Sequence, residues 1–163
     1  TFELTLLRAS EIHRRIQDGE DDIGLYYSLK PAVGVNLRYS RRMRVLALVQ
    51  PGHPLAGRAS ISLKDIGSYP VGQMSLGTTV QNFCLERDGA LVFCGELTAT
   101  SIVKQSKLVA LSISEPQLHQ RHLQIITMQG RELPNSVRRF LELIVRHIEQ
   151  SAEQPTPLTG GAA

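Results

Sequence analysis

Residues 49–56 read Val-Gln-Pro-Gly-His-Pro-Leu-Ala, and this stretch carries more information about the fold than any other. It continues an apolar run, Val45–Val49, of the kind that forms a buried strand. The Pro-Gly dipeptide ends that strand in a turn, and the second proline restricts His53 to an extended conformation. The Leu-Ala pair then forms an apolar hook ahead of a polar loop. The stretch therefore predicts a strand, a tight turn and an apolar pair docked on a core.

Towards the N-terminus, the pattern predicts a β-α-β unit. Residues 2–6 alternate apolar and polar side chains, as a half-buried strand does. Ser10 has the character of a helix N-cap, and Gly19 stands where a left-handed C-cap residue belongs. Residues 23–27 form a short apolar run typical of a buried strand. A strand, a helix and a second strand in succession indicate a parallel sheet with a right-handed crossover.

Towards the C-terminus, strands and helices keep alternating. Ser62 and Asp65 have the capping-box spacing of a short helical turn. Thr98 or Thr100 caps a helix that runs to about residue 105, and residues 137–148 carry apolar side chains at the spacing of an amphipathic helix. Further strands are predicted over residues 71–74, 91–93, 107–113 and 123–128, and a further helix over residues 78–87. This alternation indicates an α/β protein, a class whose ligands bind at the carboxyl ends of the parallel strands.

The composition argues against several classes of protein. The chain has 163 residues, of which 42% are hydrophobic, and a net charge of +3, which does not require a nucleic-acid-binding face. No apolar run approaches the roughly 20 residues of a membrane-spanning helix. Cys84 and Cys94 form neither a disulfide framework nor a metal cluster, and two isolated thiols fit a reducing cytoplasm. The nucleophile, phosphate-loop and metal motifs of common enzymes are absent, which argues against catalysis.

Four segments, in order, resemble the regulatory half of LysR-type transcription regulators. Residues 19–24, Gly-Glu-Asp-Asp-Ile-Gly, resemble the stretch that opens a strand of the family's first subdomain. Residues 49–56 resemble its strand end followed by Gly-His-Pro-Leu-Ala. Residues 60–71 contain Ser-Ile-Ser-Leu-Lys-Asp-Ile and then Tyr-Pro-Val, which resemble the family's turn before a proline and a strand. The last helix, introduced by residues 130–133, matches in place and character, so that the resemblance covers about residues 2–150.

The resemblance implies an α/β, periplasmic-binding-protein-like fold. In that fold two Rossmann-like subdomains are joined by crossing strands, and a small-molecule effector binds in the cleft between them. We place the first subdomain, incomplete in this chain, at residues 1–70 and 129–150, and the second at residues 71–128. Residues 151–163 are rich in Pro, Thr, Gly and Ala and are predicted to form a disordered tail. The resemblance implies no cofactor and no metal.

The resemblance also implies partners. A winged helix-turn-helix domain N-terminal to Thr1 would bind DNA, and the regulatory domains would pair into homodimers or homotetramers in the cytoplasm, without membrane contact. Two features depart from the family. Its first strand and first helix would precede Thr1, and Gln105 runs almost directly into Lys107 where the family carries a further strand and helix. Either a segment is omitted there, or a deletion has removed one wall of the cleft.

Two hydroxyl-rich segments and one strand end are the candidate effector-binding sites. The first segment follows a strand and opens a helix, so its hydroxyls, backbone amides and helix N-terminus would hold a carboxylate or another anion. Its residues are Gln73, Ser75, Gly77, Thr78 and Thr79. The second segment is the start of the next predicted helix, residues 98–101, where Thr100 and Ser101 are the candidates. Helix capping alone also explains the two threonines of this segment. Tyr26 and Ser28 end a strand of the first subdomain and would line the cleft, or the tyrosine belongs to the core.

Two other clusters have a structural interpretation that we prefer. Arg38, Arg41, Arg42 and Arg44 would suit DNA or an anion, but a solvated face beside a strand explains them better. His119 and His122 have the spacing of a metal pair, yet they lack a nearby third ligand, and we interpret them as surface residues.

The sequence thus predicts the effector-sensing and oligomerising domain of a LysR-type regulator, whose ligand is a small metabolite, either anionic or otherwise polar. Two alternatives belong to other classes. A solute-binding protein of a transporter would need a secretion signal upstream of Thr1. An enzyme of the same two-lobed fold, such as a deaminase or a dehydratase, would need a paired acid and base, which the sequence does not display.

Overall fold

The computed structural model describes residues 2–72 and 89–153. The helices in these ranges are α1 (Ala9–Gln17), α2 (Leu63–Ile66), α3 (Glu96–Gln105) and α4 (Asn135–Glu153), with a 3-10 turn at Pro116–His119. The strands are β1 (Gly24–Ser28), β2 (Asn36–Arg42), β3 (Val45–Val49), β4 (Ser60–Ile61), β5 (Val71–Gly72), β6 (Leu91–Gly95), β7 (Val109–Ile113) and β8 (His122–Thr127). None of the described helices is both long and apolar enough to cross a membrane.

The chain divides into two compact units, each with its own sheet. One comprises residues 1–43 and 120–147, and the other residues 44–119 and 148–163. The predicted subdomain boundaries differ from these: the prediction places residues 44–70 and 148–150 in the first subdomain and residues 120–128 in the second. The difference arises because β3 pairs with β6 and β7, whereas β8 pairs with β1 and β2. That the two units correspond to the two regulatory subdomains stays a prediction.

The first unit is an antiparallel sheet that packs against α1. β8 lies in the middle, with β1 and β2 on either side. Ile16 of α1 is fully buried and packs with Tyr26 and Ile126. Gly24 allows the helix to approach, because a Cβ at this position would lie 2.8 Å from the side chain of Ile12 and 2.9 Å from that of Ile16. The glycine that ends the 19–24 motif is therefore required by the close contact between helix and sheet.

The other residues of that motif hold the end of α1. Gly19 has a φ of 74°, the left-handed conformation predicted for it. Arg15 donates two hydrogen bonds, of 2.7 and 2.8 Å, to the carboxylate of Asp21, and they hold the pKa of that carboxyl below its usual range. The predicted C-cap is thus confirmed. The N-cap is Arg8, which makes no side-chain capping bond, and Ser10 lies in the first helical turn.

The predicted strand over residues 2–6, and with it the parallel β-α-β unit, is wrong. Residues 2–8 have no regular structure, and Leu4 is 90% exposed. β1 pairs antiparallel with β8 instead. Alternating side chains describe the faces of a strand, but its backbone N–H and C=O groups need a neighbouring strand as well. In the described sheets, residues 2–8 have no such neighbour.

The second unit is a five-stranded mixed sheet in the order β4-β7-β3-β6-β5. β3, the predicted apolar strand, is central and pairs antiparallel with β6 and β7. Its alternate residues point to opposite faces. Leu46 and Leu48 pack in the cluster that includes α3 residues. Ala47 and Val49 pack with Leu55 of the 49–56 stretch, which confirms that the apolar hook docks on a core.

Several local predictions hold in the second unit. The predicted turn after β3 is closed by a 3.0 Å hydrogen bond from the His53 N–H to the Gln50 carbonyl. Ser62 and Asp65 form the reciprocal capping box at the start of α2. In contrast, α3 begins at Glu96, one turn earlier than predicted, with Gly95 as its N-cap. The backbone leaves β6 and enters the helix without a loop between them, so the threonines fall inside the helix.

The remaining predictions concern the ends of described segments. The predicted strand at residues 71–74 is present as β5, and its last two residues, with the predicted helix over residues 78–87, lie outside the described residues. The final amphipathic helix is confirmed as α4. Because α4 extends to Glu153, the predicted tail would begin inside it, and residues 154–163 lie outside the described range.

Candidate functional site

His53 anchors the turn of residues 49–56. The residue is buried, its Nδ1 accepts a 3.0 Å hydrogen bond from the Leu55 N–H, and its Nε2 lies 3.1 Å from the carbonyl oxygen of Gly89. Because Nδ1 is the acceptor, the proton of the neutral ring is on Nε2 and is donated to Gly89. The ring also packs against Tyr69, with the two centroids 4.6 Å apart. His53 therefore ties the turn to the segment that precedes β6.

Tyr26 and Ser28 occupy different environments at the end of β1. Tyr26 is buried in the core of the first unit, its ring meets that of His13 edge-on, and burial raises the pKa of its hydroxyl. Ser28 closes the following turn, because its hydroxyl donates to the Lys30 carbonyl at 2.8 Å and accepts from the Lys30 N–H at 3.1 Å. The structure thus gives Tyr26 a packing role. Contact of either residue with an effector stays a prediction.

Gln124 is a polar group that the sequence reasoning missed. It lies in β8 opposite Tyr26, and only 2% of the residue is exposed. Its Nε2 donates a 3.0 Å hydrogen bond to the Lys30 carbonyl, in the turn that Ser28 closes. Its Oε1 is buried without a hydrogen-bond partner. A buried acceptor in this state costs about 1–3 kcal/mol, so it is a natural place for a water or a ligand donor. The signal in the sequence was a single amide inside an apolar strand.

The two hydroxyl-rich segments have different outcomes. Thr100 lies within α3 and is buried, and its hydroxyl donates to the Glu96 carbonyl at 2.8 Å. Ser101 is exposed on the same helix. Neither residue lies at a helix start, so the predicted helix N-terminus at Thr100 and Ser101 is wrong. The other segment, with Gln73, Ser75, Gly77, Thr78 and Thr79, lies outside the described residues.

The true start of α3 carries an ion pair instead. Glu96, in the first helical turn, has a side chain that is only 7% exposed. Its carboxylate accepts a 2.8 Å hydrogen bond from the Nε of Arg44, and the Glu96 N–H donates to the Arg44 carbonyl. A carboxylate in the first turn of a helix also interacts favourably with the helix dipole. This pair fixes the junction between β3 and α3 within the second unit.

His119 was interpreted as a surface residue, and the structure corrects this. It is partly buried, its Nδ1 accepts from the Val45 N–H at 3.1 Å, and its Nε2 lies 2.8 Å from the Ile113 carbonyl oxygen. The imidazole thus bridges the start of β3 and the end of β7. His122 belongs to β8. Within the described ranges, no three His, Cys, Asp or Glu side chains come together as a metal site would require.

The structure supports the interpretation of the four arginines of the basic cluster as a solvated face beside a strand. Arg38, Arg42 and Arg44 are exposed, and Arg41 is partly buried in β2. The Nε of Arg38 donates to the Thr127 hydroxyl at 2.9 Å, and Arg44 is paired with Glu96. These guanidinium groups therefore contact neighbouring strands and helices of their own units.

Comparison with known proteins gives the same fold. The PA01 protein from Pseudomonas aeruginosa, assigned to the LysR family of transcriptional regulators, is 16% identical, with a TM-score of 0.60 over 86% of this chain and 57% of that one. The CcmR regulatory domain of Synechocystis PCC6803, solved with 2-PG, is 18% identical, with a TM-score of 0.53 over 84% of this chain and 78% of that one. The effector-binding domain of QuiR, solved with shikimate, is 12% identical, with a TM-score of 0.55 over 87% and 78%.

These likenesses define the fold class, which is α/β and periplasmic-binding-protein-like, as predicted. The chain spans 57% of the length of the PA01 protein. Residues 1–90 match the LysR substrate binding domain family, and the chain belongs to that family. The resemblance seen in the sequence is thereby confirmed. No curated protein sequence matches the chain significantly.

Proposed function

We propose that this chain is the effector-sensing and oligomerising domain of a LysR-type transcription regulator. The observation that carries the proposal is the family match over residues 1–90, which is supported by a fold similar to regulatory domains that were solved with small molecules. A bound metabolite changes the activity of such a protein only if it binds two of its states with different affinity. The change would reach DNA, in the cytoplasm, through a helix-turn-helix domain N-terminal to Thr1.

The proposed ligand is a small polar metabolite with an anionic group. In the second unit, the proposed effector residues are Gln73, Ser75, Gly77, Thr78 and Thr79, whose chemistry suits a carboxylate. In the first unit, Ser28 and Gln124 offer a hydroxyl and an unpartnered amide oxygen close to the same turn. An amide oxygen accepts hydrogen bonds, so Gln124 suits a hydroxyl or amine of the ligand rather than its anionic group.

Thermal unfolding of the 163-residue chain with a panel of metabolites tests this function. The panel contains 2-PG and shikimate, the molecules present in the CcmR and QuiR structures, with further carboxylates and sulfonates. A ligand at about 100 times its Kd stabilises the folded state by about 2.7 kcal/mol. For a chain of this size that raises Tm by about 5–11 °C.

Variants then test the site. Thr78→Ala and Thr79→Ala should abolish most of the Tm increase, whereas Ser136→Ala, at an exposed position on α4, should leave it unchanged. Light scattering at increasing concentration should show dimers or tetramers. The ligand should be recovered chemically unchanged, because the proposed function includes no turnover. A chain that remains monomeric, and whose Tm no metabolite raises, would refute the proposal.

A further inference from the structure

A pocket of about 570 Å³ lies in the second unit, at the connection between α3 and β7. Gln50 and Pro51 line it from the turn after β3, and residues 104–108 line it from the other side. The volume is within the range of roughly 300–1,000 Å³ that is usual for small-molecule sites. The pocket is formed where the short connection of residues 106–108 joins α3 to β7.

The wall of the pocket is held by hydrogen bonds within this connection. The Ser106 hydroxyl donates to the Ile102 carbonyl at 2.8 Å and accepts from the Leu108 N–H at 3.2 Å. The side chain of Leu108 is buried in the same apolar cluster as Leu48 and α3 residues. Since one end of the connection is tied to the helix and the other is anchored in the core, the pocket does not depend on a loose loop.

The lining of the pocket combines two lysines with apolar groups. Lys104 and Lys107 contribute two positive charges, and none of the described lining residues is acidic. A lysine in the last turn of a helix is ordinarily explained by the helix dipole, and this suffices for Lys104. Lys107 lies beyond the end of α3 and is exposed, so its ammonium group is accessible from solvent. Pro51 and the methylene stems of the lysines provide apolar surface for the body of a ligand.

The pocket lies at the edge of the sheet opposite the carboxyl ends of β5 and β6. The register places Val45 of β3 opposite Gly95, and Val49 opposite Val109. β5 and β6 are parallel, so their carboxyl ends lie at the Val45 edge of the sheet. β5 ends with Gly72 at that edge. The pocket, next to Gln50, lies at the Val49 edge, which is the opposite edge of the same sheet.

We infer that this pocket is a second ligand site, which takes a carboxylate attached to a compact apolar body. The carboxylate meets Lys104 and Lys107, and the apolar part lies on Pro51 and on the methylene stems of the lysines. The inference goes beyond the proposed function, because the pocket lies within one unit and none of its described lining residues is a proposed effector residue. Either can fail without the other.

The test uses 3-phenylpropionate as the probe and its uncharged amide, 3-phenylpropanamide, as the matched comparison. Both are titrated into the 163-residue chain and followed through its backbone amide resonances. The carboxylate should shift the resonances of Gln50 and residues 104–108, and its affinity should fall as the salt concentration rises. The amide should bind at least fivefold more weakly, because it lacks the charge that the lysines recognise.

Two variants separate the contribution of the lysine charges to binding from that of the cavity. Lys104→Gln combined with Lys107→Gln should weaken binding of the carboxylate by about fivefold to tenfold, as expected for two solvated charge contacts. Gln105→Trp, an exposed substitution at the rim, should block the carboxylate and the amide alike. Lys64→Gln on α2 is the control and should change neither affinity. Absence of saturable shifts in the pocket, equal affinities for carboxylate and amide, or an unaffected double-lysine variant would each overturn the inference.

Discussion

Replacing His53 tests whether the family's most recognisable stretch holds the fold together. In His53→Ala, the Leu55 N–H and the Gly89 carbonyl lose their partner, and the contact between the rings of His53 and Tyr69 disappears. An intramolecular hydrogen bond contributes about 1 kcal/mol, a buried group left without a partner costs about 1–3 kcal/mol, and a ring pair contributes about 0.5–1.5 kcal/mol. The free energy of unfolding should therefore fall by about 2–4 kcal/mol.

A loss of this size is a large part of the stability of a typical domain, which is about 5–15 kcal/mol. Urea unfolding measures it directly, and Tm should fall by about 4–16 °C. The amide proton of Leu55 should also exchange faster with solvent, because it no longer donates to the ring. Exchange at this one amide reports on the turn itself, separately from global unfolding.

His53→Asn separates the contributions of the two hydrogen bonds to stability. An asparagine can still accept from the N–H two residues later, as in an Asx turn, but it is too short to reach Gly89. The variant should therefore lose less stability than His53→Ala, by about 1 kcal/mol, and should retain most of the protection of the Leu55 amide. His147→Ala, at an exposed position on α4, is the control and should stay within about 0.5 kcal/mol of the original chain. If His53→Ala also stayed within that limit, the anchoring role would be refuted.

Three further predictions concern other contacts. Gly24→Ala should lower the free energy of unfolding by about 1–3 kcal/mol in a urea titration, because its Cβ would lie 2.8–3.0 Å from three isoleucine side chains; Gly57→Ala, with no atom within 4 Å, should not. The pKa of Asp65 is about 2, below the ordinary 3.8, because the backbone and hydroxyl of the N-cap serine donate to its carboxylate. Its stabilising effect is complete above pH 4 and disappears as the pH falls towards 2, and Asp65→Asn should flatten this part of the pH dependence of unfolding. Arg44→Ala should cost about 1 kcal/mol more than Glu96→Gln, because it leaves a buried carboxylate without its ion-pair partner; equal losses in urea unfolding would show that the pair does not stabilise the β3–α3 junction.

Features set by nearby residues could be predicted from the sequence. Gly19 adopts the left-handed conformation because the chain must turn sharply after α1, and Ser62 and Asp65 cap each other across three residues. The amphipathic spacing of α4 depends only on the helical repeat. Strand pairing was not accessible in this way. The alternation in residues 2–6 was correctly seen, yet a strand exists only where another strand supplies hydrogen bonds, and the sequence does not state which strands are adjacent.

The polar groups of the candidate site show the same limit. A glutamine among apolar residues marks Gln124 as unusual, but its partner, the Lys30 carbonyl, lies 94 residues away in the sequence. The start of α3 was misplaced because threonines are good caps in general, whereas here the glycine that ends β6 takes that place. The unusual residue Gln124 was therefore visible in the sequence, whereas its bonding partner and the residue that caps α3 required the fold.

The two histidines of the second unit, His53 and His119, are hydrogen-bonded to the backbone through both ring nitrogens. In His53 and in His119, Nδ1 accepts a hydrogen bond from a backbone N–H, and Nε2 lies within 3.1 Å of a carbonyl oxygen. A metal ligand or a general base needs a ring nitrogen whose lone pair is available. Here the lone pair of Nδ1 accepts a hydrogen bond, and the N–H of Nε2 donates one to the carbonyl oxygen. Neither ring can bind a metal without losing a hydrogen bond that joins two parts of the second unit. In the Gly-His-Pro-Leu-Ala stretch, these hydrogen bonds give the histidine a structural role, and no ligand is needed to account for it.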